Sequence, residues 1–123
     1  MTKNTLILAL ALTASTAWAT GEETFQQVCA TCHAKGDQGS PKIGDVKAWS
    51  KLIKEGQTNI TADGYAGVRA MPARGSKPEL SVADFAAAVV YMANQAGANW
   101  KEPDQAMLKK ISARIEQRER SKK

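Results

Sequence analysis

The chain has 123 residues and a formal net charge of +5, and 43% of its residues are hydrophobic. This length predicts one domain near the lower size limit for a self-sufficient core, which excludes a multidomain architecture. The charge is uneven, because residues 20–96 hold eight basic and eight acidic residues, whereas residues 97–123 hold eight basic and four acidic ones.

The first nineteen residues have the features of a secretory signal peptide. Lys3 supplies a positive n-region, residues 6–12 form an apolar run, and Ala-Trp-Ala at residues 17–19 is a small-x-small cleavage site. The apolar run is short for a transmembrane helix, and an uncleaved anchor is the alternative. We expect a mature protein that begins near Thr20 and is located in the periplasm, with no later segment long and apolar enough to span a bilayer.

Residues 29–33 read Cys-Ala-Thr-Cys-His and follow a short helix expected over residues 22–30. This pentapeptide is the attachment signature of a covalent c-type haem. At this spacing Cys29 and Cys32 each add to one porphyrin vinyl group, and His33, the only histidine of the chain, is then close enough to ligate the iron.

Two other sites are built on a Cys-x-x-Cys spacing, a redox-active disulfide and a zinc site. A redox-active disulfide needs no following histidine, and the chain lacks the βαβ pattern of a thioredoxin-like domain. A zinc site needs ligands from a second cluster, and the chain has no further Cys or His. We therefore predict one covalent haem c with its iron as the only metal.

A loop rich in Gly, Ser, Asp and Pro is predicted over residues 35–44. Its Pro41 carbonyl is the candidate acceptor for the other ring N–H of an axial imidazole, a contact that orients the ring and tunes the iron. Asp45 then caps a helix that closes at Gly56. The apolar face of this helix carries Val46, Trp49, Leu52 and Ile53. The Trp49 indole N–H is a candidate donor to a haem propionate, and a plain core position suits Trp49 equally well.

Met71 is the candidate for the sixth iron ligand. Residues 58–67 predict only a short helical turn interrupted by glycines, and residues 69–77 predict a loop that contains Met71. The following proline fixes the backbone and small neighbours permit close approach to a ring, although a methionine lid over the core is the alternative. A thioether ligand raises the reduction potential and blocks binding of oxygen or peroxide. By their helical spacing, Met92 and Met107 are assigned to packing.

The last two predicted helices differ in character. Ser81 is a good N-cap for a helix that ends at Gly97, and Phe25 and Tyr91 are expected to meet where this helix crosses the first one. Its core stripe carries Val82, Phe85, Val89, Met92 and Ala96. Residues 98–123 predict a basic amphipathic helix, with an apolar stripe of Met107, Ile111 and Ile115.

Five segments together resemble the class I monohaem c-type cytochromes of the short bacterial cytochrome c-five type. They are residues 29–33, Gly-Ser-Pro-Lys-Ile-Gly at 39–44, Ala-Trp at 48–49, Ala-Met-Pro at 70–72, and the helix through 87–92. The match covers residues 21–95. Unlike many cytochromes of that type, this chain has no extra cysteine pair after the methionine loop, and the basic extension has no counterpart in the compact family pattern.

The helical patterns predict an all-α fold, and the resemblance implies a small cytochrome c-like domain of about four helices wrapped around a covalent haem. The basic helical extension is predicted from its own sequence pattern. The expected organisation is a signal peptide over 1–19, a cytochrome c domain over 20–97 and the extension over 98–123. The resemblance also implies His33 and Met71 as axial ligands, the Pro41 carbonyl on the imidazole, and a role as a shuttle of single electrons between periplasmic complexes.

Three functions are compatible with these features. The first is a one-electron carrier that serves redox proteins. Four cations in its loops either steer it toward an acidic partner in a salt-dependent way or are ordinary solvated surface residues. These cations are Lys35, Lys42, Arg74 and Lys77. The second is a haem subunit of a periplasmic oxidoreductase complex, and the third is catalysis or gas sensing at an open iron.

The extension also has three possible roles. It docks in a partner groove, rests on an anionic membrane surface, or folds back over the body with Trp100 as anchor. We expect a monomer or weak oligomer that binds no nucleic acid.

Overall fold

The computed structural model describes residues 19–123 of the chain. These residues form five helices and two short 3-10 turns, which are joined by loops. The expected signal peptide therefore lies outside the described residues, apart from Ala19. The helices are α1 (residues 21–33), α2 (Val46–Glu55), α3 (Gln57–Ala66), α4 (Val82–Gln95) and α5 (Gln105–Ser121). The all-α prediction is confirmed.

Helix α1 is not a uniform α-helix. It starts with α-helical Gly21–Thr24, passes through a π-helical turn over Phe25–Cys29 and ends with α-helical Ala30–His33. A reciprocal capping box fixes its start, because the Glu23 N–H donates to the Thr20 hydroxyl at 3.1 Å and the Thr20 N–H donates to the Glu23 carboxylate at 3.0 Å. The sequence predicted that this helix stops at the haem signature, whereas the structure carries it through His33.

Helices α1 and α4 cross at very short range. A Cβ atom on Gly21 would lie 2.2 Å from the Ala87 carbonyl oxygen, so only glycine allows this approach. One turn further along, the rings of Phe25 and Tyr91 lie 5.4 Å apart between centroids, at an interplanar angle of 48°. The expected contact between these two aromatic residues is confirmed.

Helix α2 has the ends that the sequence predicted. Asp45 accepts a hydrogen bond from the Ala48 N–H at 3.1 Å, and Gly56 ends the helix with a φ of 98°. Its predicted apolar face is wrong at one position, because Val46 in the first turn is 61% exposed, whereas Trp49 is buried.

Helix α3 is a full ten-residue helix rather than the short turn expected over 58–67. Most of it is buried, and a helix that is covered on several sides carries no amphipathic pattern in its sequence. Its two glycine residues also lowered the expected helicity: Gly64 lies inside the helix and Gly67 ends it.

Helix α5 forms where the basic extension was expected and packs against α3. Ile111 is 0% exposed, and Ile115 joins it in the same hydrophobic core as Phe85 and Trp49. Of the three possible roles of the extension, the structure shows the fold back onto the body, with Trp100 half-buried against the core. Within residues 19–123, no helix has the length and apolar character needed to cross a bilayer.

Candidate functional site

A largely apolar cleft opens between the end of α1, helices α2 to α4 and the loop after α3. Concave, mostly apolar clefts of this kind are typical of small-molecule and cofactor sites. Both candidate axial ligands, His33 and Met71, line it. Its apolar walls are formed by Leu52, Ile60, Val68, Phe85, Val89 and Met92.

His33 lies in the last turn of α1, and its residue is only 7% exposed. Its Nδ1 lies 2.8 Å from the Pro41 carbonyl oxygen, and its own carbonyl accepts a hydrogen bond from the Ile43 N–H at 2.8 Å. Because a carbonyl only accepts, Nδ1 carries the proton, and Nε2 keeps the lone pair that a metal ligand needs. The loop over residues 35–44 thus holds the imidazole in one orientation and one tautomer.

The two cysteines lie at the junction between the π-helical turn and the end of α1. Cys29 is buried and Cys32 is half-buried, and no disulfide joins them. Burial raises the pKa of the Cys29 thiol from 9.0 to about 11. A raised pKa disfavours the nucleophilic thiolate, so Cys29 lacks the lowered pKa that is typical of a reactive cysteine.

Met71 is held by a tight turn that follows α3. The Met71 N–H donates to the Val68 carbonyl at 2.9 Å, and the Val68 N–H donates to the Met71 carbonyl at 3.1 Å. Arg69, inside the turn, has a φ of 52°, a left-handed conformation that is uncommon for a non-glycine residue. The turn brings the thioether to the cleft wall.

Gly64 makes room for the Phe85 ring beside Met71. A Cβ atom on Gly64 would lie 3.1 Å from Cζ of Phe85, which is a tight contact, and 3.8 Å from the Met71 methyl carbon, which is an ordinary one. The missing side chain at position 64 therefore lets the Phe85 ring pack closely on α3, next to the thioether. Sequence reasoning treated this glycine as an interruption and missed its part in the site.

Trp49 also lines the cleft, but its polar end is engaged elsewhere. Its indole N–H donates to the Lys42 carbonyl at 3.0 Å, which ties α2 to the loop that orients His33. The sequence offered this N–H as a propionate donor or Trp49 as plain core. The observed hydrogen bond favours a role in the wall and in loop anchoring.

Two of the four loop cations face the polar rim beside the cleft, and one has a structural contact. Lys35 and Lys42 line a polar depression that adjoins the cleft. The Arg74 guanidinium lies 5.0 Å from the Tyr65 ring centroid and donates to the Pro78 carbonyl at 2.6 Å. Arg74 is therefore half-buried and held by contacts within the protein, so it is not a freely exposed charge that could attract a partner protein.

The residues present fit an iron porphyrin attached through two thioethers. An imidazole with a free Nε2 and a thioether line one apolar cleft. The two thiols are not among the residues that line the cleft, but they lie within one helical turn of the imidazole along α1. Among the described residues, no group of three or more His, Cys, Asp or Glu side chains is arranged to hold a bare metal ion. Nitrogen and soft sulfur donors in an apolar cavity are the donor set of a haem site.

Comparison with known proteins bears on the same question. Residues 16–92 match the family model described as "Cytochrome C oxidase, cbb3-type, subunit III". Cytochrome c-555 of Chlorobaculum thiosulfatiphilum is 41% identical over 81 residues, which span 63% of this chain and 94% of that protein. Cytochrome c5 of Azotobacter vinelandii is 31% identical over 71 residues, spanning 56% and 86%.

A solved structure shares the fold. A chain in the crystal structure of an electron transfer complex of nitrite reductase with cytochrome c superposes with a TM-score of 0.59 at 37% identity. The superposition covers 62% of this chain and 93% of that chain. Helix α5 lies wholly beyond the segment that the family model matches.

Proposed function

This chain belongs to the class I monohaem cytochromes c, which transfer electrons rather than catalyse reactions, and from that premise we propose that it is a periplasmic one-electron carrier. The proposal assigns one haem c to Cys29 and Cys32, with His33 and Met71 as axial ligands. The observation that carries it is the placement of His33 and Met71 on the walls of one apolar cleft.

When bound, the haem supplies an iron that changes between the ferric and ferrous states by one electron. The protein residues hold its surroundings constant during that change. The Pro41 carbonyl fixes the orientation of the His33 ring through the 2.8 Å hydrogen bond, and the apolar walls exclude water. A thioether from Met71 favours the ferrous state and leaves no iron position open to oxygen or peroxide.

The location and the partners are part of the proposal. The signal-peptide pattern over residues 1–19 supports export to the periplasm. The structural neighbour was solved with nitrite reductase as a cytochrome c in an electron transfer complex, which supports redox proteins as the class of partner. Lys35 and Lys42, exposed beside the cleft, support attraction of an acidic partner surface.

A second candidate is a haem subunit of a periplasmic oxidoreductase complex, which the description of the matching family model favours. In that role the extension was expected to act as the docking element. Its apolar stripe is already used inside the molecule, because Ile111 and Ile115 are buried in the shared core. The carrier is therefore the better supported function.

The test is to express the full chain with its leader, isolate the periplasmic fraction and measure intact mass and redox behaviour. The proposal predicts one haem that stays attached after acidic acetone extraction, a one-electron Nernst slope and no carbon monoxide binding by the ferrous protein at neutral pH. An extractable haem, a slope of two electrons or ready carbon monoxide binding contradicts it. Stoichiometric co-purification with an oxidoreductase selects the second candidate instead.

A further inference from the structure

Helix α5, together with the residue that caps its carboxyl end, carries three cationic side chains at four-residue spacing on the side that faces α3. They are Arg114, Arg118 and Lys122, and four-residue spacing places them on one face of the helix. The buried Ile111 and Ile115 lie beside this row, so hydrophobic packing fixes α5 while the cations reach the carboxyl half of α3.

The first two cations meet one carboxylate. Arg114 places Nε 3.2 Å from Asp63 Oδ1 and Nη2 3.4 Å from Oδ2, and Arg118 Nε lies 3.5 Å from the same Oδ1. The Asp63 side chain is only 17% exposed. A two-point guanidinium–carboxylate contact fixes the orientation of the groups as well as their distance. Asp63 therefore sets the register between α5 and α3.

The third cation reaches the end of α3. The Lys122 ammonium donates to the Ala66 carbonyl and lies 3.3 Å from the Gly67 carbonyl oxygen. The last carbonyls of a helix have no partner within the helix and carry the negative end of its dipole. Lys122 satisfies both requirements from a different helix, about fifty-five residues later in the chain.

The backbone that Lys122 holds leads directly into the Met71 turn. Gly67 is followed by Val68, whose N–H and C=O both bond Met71. A Cβ atom on Gly67 would lie 3.0 Å from the Ala73 backbone nitrogen and 3.4 Å from Lys122 Nζ, so the turn, α3 and Lys122 pack against one another. Any shift of the α3 carboxyl end is thereby passed to the segment that carries the thioether.

We propose that α5 is a brace for the methionine loop and that Lys122 is a positioning residue, which keeps the Met71 thioether on the iron by holding the Ala66 and Gly67 carbonyls. The inference rests on the proposed function, since it takes Met71 as the sixth ligand. It assigns to the C-terminal extension a role inside the molecule that the matched segment over 16–92 does not include.

The experiment uses the holoprotein in the ferric state and measures how readily imidazole displaces the methionine, followed by the loss of the far-red charge-transfer band. Lys122→Gln removes the charge, Lys122→Arg restores it, and Lys123→Gln is the matched control at the exposed neighbouring position. We expect Lys122→Gln to bind imidazole about two- to fivefold more tightly than wild type, the range that a charge at a helix terminus supplies. Lys123→Gln should match wild type, and Lys122→Arg should lie closer to wild type than to Lys122→Gln.

The same substitutions in a Met71→Ala background distinguish an effect on the position of the Met71 thioether from a general loosening of the protein around the haem. With the methionine gone the far-red band is absent, so imidazole binding is followed there by the shift of the Soret band. Lys122→Gln should then leave imidazole affinity unchanged, because there is no thioether left to position. Equal affinities for Lys122→Gln and Lys123→Gln overturn the brace, as does a gain that persists in the Met71→Ala background. A wild-type protein whose far-red band survives Met71→Ala instead overturns the proposed ligand, which is a distinct result.

Discussion

Tyr65 joins the helix that precedes Met71 to the segment that follows it. Its hydroxyl donates to the Leu80 carbonyl at 2.8 Å, and its ring packs edge-to-face on Phe85 with centroids 5.4 Å apart. The Arg74 guanidinium lies over the face of the Tyr65 ring. The methionine loop is thus tied down at both ends by single side chains, at Tyr65 and at Lys122.

Replacing Tyr65 with phenylalanine should therefore destabilise the protein. The Leu80 carbonyl would lose its partner in a buried environment, which costs about 1–3 kcal/mol. Guanidinium unfolding of the holoprotein measures the loss. Tyr91→Phe is the control, because Tyr91 packs on Phe25 through its ring and its hydroxyl bonds no side chain or backbone group within residues 19–123. Equal stabilities of the two variants would contradict the role assigned to the Tyr65 hydroxyl.

At the scale of single residues, the sequence predicts features that depend on neighbouring positions, but it does not predict contacts between distant segments. The pentapeptide at 29–33 and the proline beside Met71 are signals within a few positions of one another. Gly64 and Tyr65 contact residues from other segments of the chain, and the sequence around positions 64 and 65 does not indicate those contacts. The hydrogen bond between Trp49 and Lys42 is of the same kind.

Among the elements, the helices with caps and one apolar face were predicted well. Asp45, Ser81 and Gly97 mark their helix ends as expected, because the cap is a local interaction between a side chain or a left-handed glycine and the backbone. Helix α3 was under-predicted since burial on several sides removes its amphipathic period. The π-helical turn in α1 was not predicted from the sequence. Such turns are frequent at functional sites.

Helix α5 contributes to the common core, and a cavity in it should destabilise the whole domain. Ile111 is fully buried, so Ile111→Ala is expected to lower the free energy of unfolding by about 2–5 kcal/mol. The change is measured by guanidinium denaturation against Gln117→Ala, an exposed position on the same helix. An Ile111→Ala variant as stable as Gln117→Ala would mean that the extension is detached from the body.

For the whole molecule, the positive charge is concentrated in one segment. Residues 97–123 hold twice as many basic as acidic residues, whereas residues 20–96 are balanced. Three of the basic residues in that segment are engaged with α3, and a fourth, Arg120, lies 3.7 Å from the Glu116 carboxylate on the exposed helix surface. The excess of basic over acidic residues leaves a positive field around this segment. Such a field changes the rate at which charged redox partners meet the protein, and salt screens it.

This charge distribution predicts opposite salt effects for opposite probes. Oxidation of the ferrous protein by ferricyanide, an anion, should slow as ionic strength rises, because screening weakens the attraction. Oxidation by a cationic cobalt(III) complex of similar size should become faster. Stopped-flow rates at several ionic strengths measure both, and the same direction of change for the two probes would contradict the prediction.

We propose that His33 and Met71, which line one cleft, are the two protein ligands of the iron, and the ferric absorption spectrum tests this assignment most directly. Met92 also lines the cleft and provides the matched control. The far-red charge-transfer band of methionine-ligated ferric haem should be present in wild type and in Met92→Leu, and absent in Met71→Leu. A band that persists in Met71→Leu, or that is lost in Met92→Leu, would contradict the assignment of Met71 as the sixth ligand.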